Sequence, residues 1–250
     1  MIPELVGSRL ELVLGLLWAL GMIAVPVASL AGRRGRASSI SVAVVLQVAL
    51  VVAVLFRSWG TRASLLAVVA VPAIGWLAEF IGSRTGVPFG RYEYTDLLQP
   101  QLHRVPVLIP LAWLMMMPPS WATAQLLLPE GPWWMQAVVA GYAFMAWDVY
   151  LDPQLTRWKF WEWDQPGRYE GIPLVNFAGW FLVATLISGL VLGAVAPLSL
   201  PVMPLVLIYL VTWILQFGGH LVFWRWPVSA AAGLLAMGLV GAPALWVMFG

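Results

Sequence analysis

Runs of about 20 apolar residues recur along almost the whole of this 250-residue chain, with few ionisable groups between them. At about 1.5 Å of rise per residue, a helix of that length covers the hydrocarbon thickness of a bilayer. The runs lack the strict alternation of a lipid-facing barrel strand, so helices are expected. Hydrophobic residues make up 62% of the chain and charged residues 10%, well below the roughly 25% charge of a soluble domain.

The pattern divides into eight predicted crossings, at 10–31, 40–57, 63–82, 105–128, 133–152, 173–196, 202–222 and 227–249. This is an all-α, polytopic transmembrane helical bundle, and no linker-like composition splits residues 1–250 into more than one domain. The fourth run carries Pro106, Pro110, Pro118 and Pro119. Each proline removes a backbone donor, so that helix is predicted to kink or break, and seven crossings result if it only dips into the bilayer. Leu12 to Ala31 is longer than a signal-peptide core, and Glu4, Arg9 and Glu11 precede it in place of a cationic segment. An anchor is therefore expected there, although Ser29-Leu30-Ala31 resembles a cleavage site.

An amino terminus outside the cell membrane places ten of the thirteen basic residues on cytoplasmic loops, leaving Arg9, Arg57 and Arg62 outside. The positive-inside rule favours that orientation. The long loops 83–104 and 153–172 then face the cytoplasm. Trp133 and Trp134 suit the outer membrane interface, and Gly189 and Gly193 form a GxxxG expected to serve packing within the bundle. Isolated basic residues between apolar runs fit membrane topology better than nucleic-acid binding.

There are no cysteines, which excludes disulfides, thiolate metal sites and a cysteine nucleophile. Dinucleotide, P-loop, zincin and nucleophile-elbow motifs are absent, so dehydrogenase, NTPase, zincin and hydrolase readings lose their main support. His103 and His220 lack ligand spacing, and His220 is expected to pack or hydrogen-bond at a helix end.

Carboxylates within helices carry the functional signal, because an ionisable group in a membrane is costly. Glu79 lies near the end of the third predicted helix, and Asp148 and Asp152 near the end of the fifth. The aspartates, at i and i+4, share a helix face about 6 Å apart along the axis, so three acids can meet at one depth. Competing readings are a Glu79–Arg84 pair and an Asp152-Pro153 turn that ends the helix. Both long loops are rich in aromatics and turn residues and could form a structured lid. Asn176, beside Phe177 and Trp180, is read equally as a packing amide or a site residue.

Glu79, Thr85-Gly86, Pro88-Phe89-Gly90-Arg91-Tyr92-Glu93-Tyr94, Val105-Pro106, Trp113, Trp147-Asp148, Leu151-Asp152-Pro153 and Gly171-Ile172-Pro173-Leu174-Val175-Asn176-Phe177-Ala178-Gly179-Trp180 together resemble the membrane carotenoid biosynthesis family of the CruF-type carotenoid hydratases. The resemblance covers about residues 75–181 well and the outer helices only by hydropathy. It implies addition of water to the terminal isopropylidene double bond of an acyclic, bilayer-dissolved carotenoid, giving a tertiary alcohol without an organic cofactor. Lipid and carotenoid are the partners it implies.

Such a reaction needs a positioned acid, and low dielectric favours the protonated form of a carboxyl group. A second, ionised carboxylate stabilises the carbocation and orients water. Aromatic faces add cation–π stabilisation of roughly 2 kcal/mol when desolvated. Asp148 or Asp152 is expected to donate the proton, Glu79 to stabilise charge or activate water, and Tyr92, Tyr94, Asn176, Trp180, Trp147 and Phe89 to line the substrate. Two rival outcomes are ring closure of the same cation by a cyclase and proton-coupled transport; the latter fits poorly with acids gathered near one surface.

Overall fold

The fold is that of a computed structural model in which residues 7–196 and 202–250 are described; Glu4, which precedes the first predicted crossing, lies outside the described residues. Almost all of it is helix. Four stretches are long and apolar enough to cross a membrane: Arg9–Thr85, Leu174–Val195, Met203–Phe223 and Pro227–Phe249. The first contains three rods. Helix α1 (Arg9–Ala28) and a short 3-10 turn (Ser29–Ala31) lead into α2 (Gly32–Thr85), which breaks at Gly60. The loops expected at 32–39 and 58–62 are helical instead. Single glycines interrupt the helix, Gly32 at φ 76° and Gly60 at φ 71° with extended ψ, a conformation closed to residues with a Cβ.

A small polar cap follows. Strands β1 (Tyr92–Tyr94), β2 (Gln101–Leu102) and β3 (Val105–Pro106) precede α3 (Leu108–Leu127) and α4 (Trp133–Arg157), with β4 (Trp161–Trp163) after α4. Val105-Pro106, expected to open the fourth helix, is instead strand paired with Gln101-Leu102. Then come α5 (Leu174–Val195), α6 (Val202–Gly218) with a π turn at Gly219–Phe223, and α7 (Pro227–Phe249).

Helix α3 is the hub, packed against α2, α4, α6 and α7. Every residue from Trp113 to Ala124 is buried. Pro118 and Pro119 do not break it. An amide at 119 would bond the carbonyl of Met115, and proline leaves that oxygen free; Gln47 Nε2 on α2 donates to it at 3.0 Å. The same repair keeps α4 going. Pro153 frees the carbonyl of Val149, which receives the Tyr169 hydroxyl at 2.8 Å, so the helix runs to Arg157 and does not end at Asp152.

Outward faces are leucine-rich: Leu20, Leu190 and Leu239 are each more than 60% exposed, whereas Glu79, Asp148, Asp152 and Asn176 are at most 2% exposed. Apolar residues outside and polar ones paired inside is the arrangement a lipid solvent selects. Gly189 and Gly193 approach the Trp133 ring, 3.5 to 3.7 Å from an ideal Cβ, so the GxxxG stripe packs within this bundle. His220 hydrogen-bonds Ser229 through Nδ1 at 2.9 Å, among the rings of Tyr150, Trp224 and Trp226.

Candidate active site

Glu79 projects from the last turns of α2, where it meets three neutral donors. Trp113 Nε1 of α3 reaches Oε1 at 3.0 Å, and the hydroxyls of Tyr94, at 2.8 Å, and Tyr92 both donate to Oε2. The competing Glu79–Arg84 pair does not form: that guanidinium donates to the carbonyls of Phe80 and His103. Burial, followed by the nearby Glu79 carboxylate, pushes both tyrosine hydroxyls well above the ordinary phenol range. Both phenols therefore remain donors.

The tyrosines reach Glu79 because a loop turns back under α2. Gly86 caps the helix in the left-handed conformation, and Phe89 inserts where Gly82 and Gly179 leave room. A Cβ at Gly82 would stand 2.5 Å from the Phe89 ring, and one at Gly179 would stand 2.7 Å from the Pro88 carbonyl. β1 then pairs antiparallel with β4, placing Tyr92 opposite Trp163 and Tyr94 opposite Trp161. Aromatic pairs of this kind stabilise a short ladder that would otherwise be marginal.

Through that ladder the first acid connects to the other two. Trp161 Nε1 donates to Asp152 Oδ1 at 2.8 Å, and the Thr156 hydroxyl donates to the same oxygen at 3.1 Å. Asn176 Nδ2 bridges the aspartates, donating to Asp152 Oδ2 at 2.5 Å and Asp148 Oδ2 at 3.0 Å. Asp148 Oδ1 is buried and has no partner. Among the described residues the ion pairs are Arg57–Glu11, Arg157–Glu170 and Lys159–Glu162; none reaches the three acids.

An aromatic wall stands beside this network. Trp180 stacks on Trp113 with ring centroids 4.9 Å apart and on Phe144 at 5.4 Å, with Phe89 at 6.3 Å. Trp180 lies one turn beyond Asn176 on the same face of α5 and is partly exposed. The structure thus brings Glu79, Asp148, Asp152, Tyr92, Tyr94, Asn176, Phe89 and Trp180 to one region. Trp147 is placed elsewhere: it faces a separate apolar cavity and the ring of Tyr209.

Thr156 and Phe144 escape the sequence reading, Trp161 enters it only as an aromatic of the second long loop, and Trp113 carries no role in it. A signal for Trp161 is nonetheless present. Tyr92-Glu93-Tyr94 and Trp161-Glu162-Trp163 share one aromatic–acid–aromatic alternation, the period of two that marks strands sharing a face.

Comparison with known proteins places this geometry in context. A family model described as carotenoid biosynthesis protein matches residues 39–240, which include every residue of the site. A bisanhydrobacterioruberin hydratase of Haloarcula japonica is 31% identical over 183 residues, or 70% of this chain. The match takes in 62% of that relative's length. No solved structure matches. The breadth of the family match and the shared sequence with the hydratase lead to one conclusion: the chain belongs to the carotenoid biosynthesis protein family.

Proposed function

We propose that the protein is a carotenoid hydratase, a cofactor-independent hydro-lyase that adds water to the terminal isopropylidene double bond of an acyclic carotenoid. One observation carries this reading. Three carboxylates without basic partners are gathered behind an aromatic wall, and one of their oxygens, Asp148 Oδ1, has no hydrogen-bond partner. The hydratase relative supports the reaction class.

The hydrogen-bond partners of the three acids support a division of roles. Asp152 and Glu79 each accept from three donors, the environment of an anion held in place. Asp148 accepts one bond, from Asn176. Its second oxygen carries the transferable proton. That proton adds to the CH carbon of the double bond, and the cation forms on the carbon bearing two methyl groups. The Glu79 and Asp152 carboxylates and the partly exposed ring of Trp180 stabilise it. The oxygen of a water molecule bonds to the cation, and its extra proton leaves to a carboxylate. The net change is C=C plus water to a tertiary alcohol, with no electron transferred.

The same reading extends to topology: eight crossings of the cell membrane, an external amino terminus, and the β1–β4 cap at the cytoplasmic face. The substrate end enters from the bilayer past the partly exposed Trp180. Expression in a host that accumulates lycopene or a longer acyclic carotenoid tests the function directly, with pigments resolved by chromatography and mass spectrometry. A product heavier by one water is expected. An isomer of unchanged mass would replace hydration with cyclisation, and solute flux without any new pigment would replace it with transport.

A further inference from the structure

The acid cluster has a polar flank as well as an aromatic one. Glu79 and Ser83 stand at i and i+4 on α2, on one face of the helix and about 6 Å apart along its axis. Ser83, one turn nearer the cap, borders an open depression of about 480 Å³. Tyr92 and Tyr94 of β1 form another part of its wall, and their side chains run from there to the Glu79 carboxylate. The two phenols thus stand between the depression and Glu79, which is 2% exposed.

The charges around the depression suit water and not an ion. A site lined by one sign of charge concentrates the opposite ion; here Glu93 and Asp96 are matched by Arg84 and Arg104. The space holds a cluster of waters at about 30 Å³ each. On the other flank of the acids, the stacked rings of Trp113, Phe144 and Trp180 present hydrocarbon, where an unpaired hydroxyl is costly. Hydration joins two reactants of opposite solubility, and an isoprenoid end dissolved in lipid brings no water with it.

We propose that this depression is the water door of the acid cluster: water passes from it to Glu79 between Tyr92 and Tyr94, whereas the hydrocarbon enters from the lipid side. The inference deepens the hydratase reading and rests on it for the fate of that water. One molecule enters per turnover. Its oxygen bonds to the cation, one hydrogen stays on the product alcohol, and the other leaves as a proton that makes good the one given up by Asp148. No net proton crosses the door, so closing it starves the reaction of water alone. Passage needs only that the phenol rings part, a side-chain motion.

The chain has no cysteine, so Ser83→Cys, a nearly isosteric change, provides a single thiol in the wall of the depression. The full-length variant in lipid nanodiscs is treated with water-soluble methanethiosulfonates, one anionic and one cationic, which separates plugging from any effect of added charge. Arg168→Cys, exposed elsewhere on the cap, is the control. Arrival of water is read without turnover, from exchange in D2O of the Trp113 indole proton that bonds Glu79, followed by NMR and assigned by its loss in Trp113→Phe. Modification at 83 by either reagent is expected to slow this exchange, and the hydration of an acyclic carotenoid, by about tenfold or more. Reductant, which removes the modification, restores both, and modification at 168 changes neither. A thiol at 83 that the reagents do not reach, exchange unaltered by the plug, or hydration unaltered by it overturns the proposal. Slowed exchange in a protein that hydrates nothing supports the water route and sinks the hydratase reading alone.

Discussion

Two buried glutamates, Glu11 and Glu79, differ in what holds them. Glu11, 3% exposed, sits in the first turn of α1 and is gripped by Arg57, whose Nε and Nη2 donate at 2.6 and 3.2 Å. Glu79, 2% exposed, meets only phenols and an indole. The guanidinium cancels the first charge, leaving little field for anything nearby. Neutral donors fix the second carboxylate while leaving its charge uncompensated, which is the condition for stabilising a developing cation. Burial alone therefore does not single out Glu79 from Glu11; under the proposed reading the absence of a counter-charge does.

Substitutions can break this distinction or sharpen it. Asp148→Asn should have the greatest effect, lowering hydration by on the order of 10³-fold while the protein stays folded in the membrane; pigment analysis beside a quantified membrane fraction reads both. Retained turnover would remove Asp148 from the chemistry. Glu79→Gln keeps the side chain's shape and discards its charge, so a loss of about 10²-fold is expected. A matching loss on Glu11→Gln would erase the contrast between the two glutamates.

Smaller effects probe the scaffold. Tyr169→Phe leaves the Val149 carbonyl unpaired and should cost about 1–2 kcal/mol in a thermal or denaturant unfolding assay. In a Pro153→Ala background the helix supplies its own amide, and the cost of Tyr169→Phe should shrink. An undiminished cost would mean that Tyr169 acts through packing and not through that carbonyl. Glu11→Ala should lower stability least, by about 1 kcal/mol or below because Arg57 is partly exposed and can turn to water, with hydration unchanged.

Residues at regular spacing are legible in the sequence. Apolar runs locate most of the helices to within a few positions, and the i, i+4 spacing of Asp148 and Asp152 puts both on one face. Asn176 reads there as an amide of undecided role, and the structure gives it one, bridging the two aspartates. The errors come at prolines and loops. Pro119 and Pro153 read as breaks because the side chains that donate to their orphaned carbonyls, Gln47 and Tyr169, lie 68 residues from the Met115 carbonyl and 20 from the Val149 carbonyl. Arg84 is the basic residue nearest to Glu79 in the chain, and it loses to tyrosines carried in by a loop.

What the chain determines by itself is its solvent and its helices: side-chain transfer between water and hydrocarbon is a property of each residue and its near neighbours, so composition and spacing suffice. Which acid is cancelled and which is left bare depends on contacts the spacing does not reveal, such as Arg57 on Glu11 or Trp161 on Asp152. Electrostatic energies vary with distances of a few ångströms, and only the packed bundle sets those distances.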